Sequence, residues 1–246
     1  MTRTSIVLIV ILFSLLLYTI INIAPNGHAV DVAYNDQSSS NLPFKIGERL
    51  TYEVRYKKVR LGESILTFHG EKELNNKNVY HITFFTKIPT LKDTEELYAE
   101  KGTFLPLEVH RTIKKKLGFG DRIREIYDQK NFRVDIKQRS KLRLNEFSIQ
   151  KDSPVHNAIL LAYYYRTQRD FSEDERFKVA LPTFDFDVIY RGIENIKTPL
   201  GEYRAYAFIS EPPKFKLWLS ADERKLPLKI ENPGTLGYSL IIKSAN

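Results

Sequence analysis

Asp152–Arg166 reads D-S-P-V-H-N-A-I-L-L-A-Y-Y-Y-R, and we interpret the rest of the chain around this segment. Ser153 is a good helix cap, and Pro154 suits the first helical position, where a backbone N–H has no partner. Apolar residues then recur at helical spacing, which predicts a helix over about 153–168 with one buried face. Because the rest of the sequence alternates like strands, we expect this helix to cover a face or an open end of a sheet.

The chain on both sides of the predicted helix alternates apolar and polar residues with the period of two of a half-buried strand, as in Leu50–Tyr56 and Phe132–Lys137. Asn75 and Asn76 indicate a hairpin turn, and Gly62 is expected to mark another. About a dozen short strands follow one another with a single helix among them. This pattern predicts a mainly β protein, an antiparallel meander that forms a curved sheet, half-barrel or barrel-like sandwich with one covering α-helix.

The N-terminal residues differ in composition from the rest of the chain. Arg3 precedes an apolar run at residues 6–23, and Gly27-His28-Ala29 offers small residues where a signal peptidase cleaves. The sequence therefore predicts an N-terminal signal helix, a signal peptide at residues 1–29, and export. The run is also close to the ~20 residues that span a bilayer, so an uncleaved membrane anchor is the alternative.

The exported part of the chain has no clear internal division. Residues 30–42 are polar and lack periodicity, which predicts a disordered leader. No repeat or linker interrupts residues 43–246, so we interpret them as a single β-rich domain, with a two-lobed arrangement as the second choice. The chain contains no cysteine, so neither a disulfide nor a cysteine-linked lipid can support it. Stability must come from a packed core.

Three segments in order carry a resemblance to a known family. They are P-F-K-I-G-E-R-L-T-Y-E-V at Pro43–Val54, the segment Asp152–Arg166, and W-L-S-A-D-E-R-K-L-P at Trp218–Pro227. Their order and spacing resemble an exported bacterial family catalogued as domain of unknown function 3108, over about residues 43–242. The resemblance implies a β-rich domain in the periplasm of a Gram-negative bacterium, where residues 6–23 would anchor an uncleaved chain to the inner membrane. It implies no activity and no catalytic residue.

Basic residues are concentrated between Leu107 and Asn145, where Lys and Arg clearly outnumber Asp and Glu. Such a segment can hold anionic lipid headgroups, lipopolysaccharide phosphates or acidic glycans. K-K-K before L-G-F-G resembles a basic hairpin tip with an aromatic side chain that can enter a membrane interface. The alternative is a solvated face whose lysines protect a sheet edge from pairing. The candidate residues for an anionic ligand are Lys114, Lys115, Lys116, Arg122, Arg124 and Arg133.

Aromatic side chains suggest a second candidate site. A curved sheet that holds a helix often leaves an apolar groove, and the aromatic residues of the helix could line it. The candidate groove-lining residues are Tyr163, Tyr164, Tyr165 and Trp218. The alternative is that these side chains fill the core, with Trp218 as an anchor beside a turn that Asp222 caps.

One pair of carboxylates could carry catalysis. Asp185 and Asp187 lie on one face of a predicted strand, roughly 7 Å apart from the strand rise. Inverting glycosidases place their two carboxylates at about this separation. The alternative is that both simply face solvent, since Phe184, Phe186 and Val188 occupy the other face of the strand.

Other reactive residues have simpler explanations. Ser153 and His156 lie three residues apart at a helix start, where capping explains the serine, and no oxyanion-hole glycine motif accompanies them. His69, His81 and His110 fall on separate strands without the spacing of metal ligands. We therefore predict no catalytic residue, no metal site and no cofactor.

These observations lead to one functional hypothesis with two rivals. The leading hypothesis is a non-enzymatic envelope protein that binds a lipid, lipopolysaccharide or glycan through its curved sheet and basic segment, with peripheral membrane contact. The first rival is a glycan-acting hydrolase that uses Asp185 and Asp187. The second is a structural partner of an envelope protein complex. Nucleic acid is a poor partner for an exported protein, and we exclude it.

Overall fold

The computed structural model describes residues 42–141, 143–168, 171–232 and 237–246. Within these ranges the chain forms fourteen strands in one antiparallel sheet and one helix, α1 (Ala158–Thr167). The predicted signal peptide and nearly all of the predicted leader lie outside the described residues. The strands are β1 (Arg49–Tyr56), β2 (Val59–Leu74), β3 (Lys77–Ile88), β4 (Leu91–Ala99), β5 (Pro106–Lys115), β6 (Asp121–Asp128), β7 (Arg133–Arg139), β8 (Leu144–Gln150), β9 (Arg176–Ala180), β10 (Asp185–Thr198), β11 (Gly201–Glu211), β12 (Lys216–Ser220), β13 (Pro227–Glu231) and β14 (Tyr238–Ala245).

The sheet is a meander in which one pair of neighbours is distant in sequence. Its order is β8-β7-β6-β5-β4-β3-β2-β1-β14-β13-β12-β11-β10-β9, so β1 pairs with β14 in the middle of the sheet. The edges are β8 and β9, the strands before and after α1. A parallel bridge between Val155 and Ala180 brings the segment after β8 to the end of β9, and the sheet curves around the helix. The prediction of a mainly β, curved antiparallel meander with one covering helix is confirmed.

The predicted start of the helix is wrong. We expected the helix to begin at Ser153 and Pro154, but it begins at Ala158, and Asn157 is the N-cap. The Asn157 side-chain oxygen accepts a hydrogen bond of 2.9 Å from the backbone N–H of Ile159.

Contacts with distant segments hold the chain before the helix in an extended conformation. Gln129 binds both backbone groups of Val155, donating to its carbonyl at 2.8 Å and accepting from its N–H at 3.0 Å. His156 N–H donates to the carbonyl of Ala180 at 2.7 Å. Backbone groups engaged in this way cannot form the first turn of a helix, so the helix starts later than its local sequence suggests.

Two turn predictions had different outcomes. Asn75 and Asn76 both have positive φ, 51° and 62°, which confirms the predicted asparagine turn. The turn expected at Gly62 is wrong, because this residue lies inside β2. A Cβ on Gly62 would lie 2.1 Å from the carbonyl oxygen of Lys87, so glycine is needed there for the close approach of β3. The turn itself forms two residues before β2, where Lys57 has a φ of 54°.

The helix lies in the core and contacts two apolar clusters. Leu160 and Tyr163 belong to the larger cluster, which extends over the concave face of the sheet. Leu161 and Tyr165 belong to a second cluster, formed by β9 to β12. A helix that is apolar on several sides is stable only when it is surrounded, which agrees with its position inside the curve of the sheet.

A buried ion pair ties the end of α1 to the start of β1. Arg166 is 1% exposed, and its Nη1 and Nη2 donate to the Glu48 carboxylate at 2.6 and 2.9 Å. Its Nε donates to the carbonyl of Arg224 at 3.1 Å, and Nη2 donates to that of Pro43 at 3.4 Å. The guanidinium also lies 4.7 Å from the centre of the Phe44 ring. One side chain thus connects the helix, β1 and the turn between β12 and β13.

Arg166→Met should strongly destabilise the protein, because it leaves the Glu48 carboxylate buried without its main partner. We expect the free energy of unfolding in urea to fall by about 3 to 5 kcal/mol. The matched control is Arg176→Met, which breaks an exposed pair with Glu211 at 2.6 Å and should change stability by less than about 1 kcal/mol. Equal losses in the two variants would contradict the anchoring role.

Candidate functional site

A cavity of about 120 Å³ lies between α1 and the concave face of the sheet. Most of the side chains around it are apolar, and they come from the helix and from both halves of the sheet. Representative lining residues are Leu66, Phe84, Leu161, Tyr165, Phe186 and Leu240. We refer to this space as the inner cavity.

The inner cavity reaches the surface at partly exposed lining residues. Ala158, at the first turn of α1, borders the cavity and is exposed. Phe184, Lys214 and Phe215 also border it and are half-buried. We interpret these residues as the mouth of the inner cavity.

One wall of the inner cavity is polar. Glu95, Arg111 and Tyr127 line it, from the neighbouring strands β4, β5 and β6. Arg111 Nε donates to Asp93 Oδ1 at 3.0 Å, and its Nη2 also donates to this carboxylate. Glu95 Oε1 lies 3.5 Å from Arg111 Nε, while the Tyr127 hydroxyl donates to Glu125. Three carboxylates therefore surround one arginine on an otherwise apolar face.

The excess of carboxylates perturbs their protonation. Burial raises the pKa of Glu95 to about 7, with Arg111 opposing this rise and the Asp93 charge adding to it. Burial also raises the pKa of Glu125, against the hydrogen bond from Tyr127 and the charge of Arg111. Near neutral pH the polar wall can thus gain or lose a proton at Glu95.

The four predicted groove residues occupy different positions. Tyr165 lines the inner cavity. Tyr163 is fully buried in the larger core cluster, and Tyr164 is half-buried beside Tyr165 with ring centres 5.4 Å apart. Trp218 is 8% exposed, lies in the core, and donates from Nε1 to Glu194 at 2.8 Å. Consecutive residues of a helix point about 100° apart, so three adjacent tyrosines cannot line one cavity.

The predicted lysine segment lies beside a surface groove. Lys114, Lys115 and Lys116 line this groove of about 680 Å³ together with Lys87 and Lys92, which the sequence did not suggest. The register pairs Lys87 with Lys92 and Lys92 with Lys114, so these three side chains form a cross-strand row over β3, β4 and β5. We call this set the lysine row. Like charges directly opposite one another are destabilising, so the row favours an anion.

The groove has an apolar floor and an exposed apolar tip. Ile65, Phe85 and Ile88 contribute to the floor. In the turn after β5, Leu117 is 87% exposed and Phe119 is 58% exposed. Such side chains beside lysines are typical of a surface that contacts a membrane interface.

Two contacts shape the exposed tip. Lys141, in the turn after β7, places Nζ 3.9 Å from the centre of the Phe119 ring. Lys115 donates to Asp121 at 2.8 Å, which neutralises part of the basic segment. Within the described ranges, no ion pair is found for the three lysines of the row or for Lys116.

The three predicted arginines are not part of this groove. Arg122, Arg124 and Arg133 are exposed on β6 and β7. Arg124 Nε donates to Glu108 at 2.6 Å, and Arg133 Nη2 donates to Asp135 at 2.8 Å. The structure therefore brings the predicted lysines together with new ones and separates them from the arginines.

The two candidate catalytic carboxylates have separate cationic partners. Asp185 accepts a hydrogen bond from Lys151 Nζ at 2.9 Å, and Asp187 lies 3.4 Å from Arg176 Nη1. Neither carboxylate borders the inner cavity.

The remaining candidates show one contact that the sequence did not reveal. His69 and His81 stack with ring centres 4.6 Å apart, since a bulge between Phe68 and Gly70 shifts the register of β2 against β3. Burial lowers the pKa of His156 to about 4. In the described part of the chain, no group of three or more His, Asp or Glu side chains is placed to hold a metal ion.

This chain matches one family model and resembles one solved structure in its fold. A model of the family described as "Protein of unknown function (DUF3108)" matches residues 51–240. No curated protein matches the sequence. Among solved structures, a β-barrel-like protein of domain of unknown function DUF1849 from Brucella abortus is similar, with 8% identity, a TM-score of 0.51, and coverage of 82% of this chain and 97% of that chain. A protein with a YmcC-like fold from Bacteroides fragilis has 10% identity, coverage of 83% and 98%, and a TM-score of 0.29.

At 8% identity, the similarity to the Brucella abortus protein supports the fold alone.

Across the residues that the structure describes, none of the helical segments has the length and apolar character needed to cross a bilayer.

The pKa of Glu95 should make stability depend on pH. Its folded pKa is raised above the ordinary value of 4.5 to about 7, so the stabilising contribution of protonated Glu95 is complete below about pH 4.5 and is lost as pH rises to about 7. We expect Glu95→Gln to remove this loss, which amounts to roughly 3 kcal/mol at most. Urea denaturation from pH 4.5 to pH 8 measures it. Glu96→Gln, on the opposite face of β4, is the control. The same dependence of the free energy of unfolding on pH in the wild type and in Glu95→Gln would contradict the expectation.

Proposed function

The chain belongs to the DUF3108 family of proteins of unknown function, and we propose that it is a non-enzymatic exported envelope protein that binds the apolar part of a lipid in the inner cavity. The observation that carries this proposal is the mouth formed by Ala158, Phe184, Lys214 and Phe215 over a space lined mainly by apolar side chains. Ligand sites are typically concave, mostly apolar, and supplied with a few polar groups.

The size of the inner cavity limits what it can hold. An apolar cavity of ~150 Å³ stays dry and takes up one benzene-sized molecule. A space of about 120 Å³ therefore suits one short alkyl segment, such as the part of an amphiphile next to its polar group. Each methylene group that leaves water contributes ~0.8 kcal/mol, so the affinity rises with each group that the cavity takes up.

The lysine row supports contact with an anionic surface. Each lysine near an anionic membrane contributes ~1 kcal/mol. Leu117 and Phe119 extend beside the groove and could enter the interface of such a membrane. We propose that the protein docks on anionic lipid through this end of the sheet, and an acidic glycan or lipopolysaccharide phosphate would use the same charges.

Location and the rival functions follow from other parts of the chain. We propose the periplasm, supported by the signal-peptide pattern of residues 1–29, with residues 6–23 as an inner-membrane anchor if cleavage does not occur. Glycan hydrolysis has less support, because Asp185 and Asp187 each pair with a separate cation. A protein partner in the envelope would also be compatible with the exposed tip.

Blocking the mouth of the cavity should remove a bound lipid. Ala158→Phe places a large side chain at an exposed lining position, where it should obstruct entry without disturbing the core. Native mass spectrometry of protein purified from envelopes without detergent should detect lipid on the wild type and little on this variant. Ala158→Ser, which adds only one oxygen atom, is the control and should keep the lipid. Equal lipid on all three proteins, or none on the wild type, would contradict the proposal.

Removing charge from the lysine row should weaken binding to anionic vesicles. For Lys92→Ser combined with Lys114→Ser, we expect partition at low salt to fall by up to about thirtyfold, since each lysine contributes ~1 kcal/mol. Sedimentation with vesicles at low and high salt measures this, and salt should reduce the difference. Lys45→Ser with Lys77→Ser removes the same charge elsewhere on the surface. If both double variants lose the same affinity, the row is no specific site.

A further inference from the structure

The polar wall of the inner cavity indicates which head group a bound amphiphile carries. We propose that the cavity takes an amphiphile with a cationic amine as its polar group, seated against Glu95, and that it discriminates against a carboxylate. The inference rests on the proposed lipid-binding function and adds the chemical class of the ligand. Two features carry it: the charge balance of the wall and the engagement of Arg111 by carboxylates of the protein. An unpaired hydroxyl elsewhere in the lining also calls for a polar partner.

The wall contains more carboxylates than cations. Asp93, Glu95 and Glu125 approach a single guanidinium, that of Arg111. A buried surplus of negative charge is unfavourable unless it takes up a proton or gains a cation. Glu95 borders the cavity directly, so a ligand group can reach its carboxylate.

Carboxylates of the protein already balance the charge of Arg111. It makes a two-pronged contact with Asp93, and Glu95 lies 3.5 Å from its Nε. A fatty-acid carboxylate at this wall would have to compete with Asp93 and would approach Glu95 and Glu125. An ammonium group, by contrast, can donate charge-assisted hydrogen bonds to Glu95.

A second observation also points to a polar ligand group. Tyr52 is 1% exposed and lines the inner cavity, and within the described residues its hydroxyl has no hydrogen-bond partner. Leaving a buried hydroxyl unpaired typically costs about 1 to 3 kcal/mol. The charged groups that act on this hydroxyl are Arg166 and Glu48, so it is a second polar point of the lining, separate from the wall around Glu95.

Lys214 is the feature that could favour the opposite ligand. It borders the cavity from the turn between β11 and β12, away from the strands that carry Glu95 and Arg111. An anionic head group would have to bind at this mouth residue instead of at the polar wall. The charged and titratable side chains around the cavity are Tyr52, Glu95, Arg111, Tyr127, Tyr165, Lys214 and Tyr238, with Asp93 and Glu125 behind the wall.

Three amphiphiles with the same chain test the inference: laurylamine, lauryl alcohol and laurate. Calorimetric titration of the full chain at about pH 8 should give laurylamine an affinity about tenfold or more above that of laurate, with lauryl alcohol between them. Glu95→Gln should reduce this preference to about threefold or less. Glu96→Gln should leave the preference unchanged, and Ala158→Phe should abolish the binding of all three.

A second measurement needs no variant of the polar wall. Lowering the pH of the wild type from about 8 to about 5.5 protonates Glu95, whose pKa burial raises to about 7, so the preference for laurylamine should shrink. Laurate binding best at pH 8, or a preference unchanged by Glu95→Gln and by pH, would overturn the head-group inference while leaving lipid binding intact. Failure of all three amphiphiles to bind would instead overturn the proposed function.

Discussion

The architecture depends on the ion pair between Arg166 and Glu48. Helix α1 joins the two edge strands, so no strand ladder fixes its position, and apolar packing alone would tolerate rotation about its axis. A buried guanidinium restricts this rotation, because its N–H donors point in fixed directions and need hydrogen-bond partners. It finds them at Glu48 and at the carbonyls of Arg224 and Pro43. The pair therefore restricts rotation of the helix about its axis.

The inner cavity results from the shapes of the helix and the sheet, which this ion pair connects. One helix inside a wide curved sheet cannot fill the concave face, and the strands opposite its first turn carry charged side chains in place of large apolar ones. Replacing a buried ion pair by well-packed apolar residues is often neutral or stabilising. The group around Arg111 is thus poorly explained by stability, which is why we propose a role in ligand binding for it.

The sequence was sufficient for the strands and insufficient for the sites. Period-two alternation predicts strands well when one face of a strand is buried, as it is for most strands here, although β8 is exposed on both faces. The predicted helix start was wrong because Ser153 and Pro154 satisfy the local rules for a helix N-terminus. The competing bridge from Val155 to Ala180 joins distant segments, so the local sequence does not indicate it. The lysine row depends in the same way on the register of three strands. The polar wall left a weak signal in the sequence, because Asp93 and Glu95 occupy positions of β4 that the period-two alternation assigns to the core.

The seam between β1 and β14 has a consequence for how the chain reaches this fold. Every other strand pair forms through a local connection, but this seam joins segments almost two hundred positions apart, with Arg49 and Asn246 exchanging backbone hydrogen bonds of 3.1 Å. Non-local pairings form slowly, because their loop closure must precede the gain in contacts. Until β14 arrives, the backbone groups along one side of β1 are unpaired, and an open edge is a template for aggregation. β1, which lies in the middle of the finished sheet, is therefore an open edge of the sheet while the chain folds.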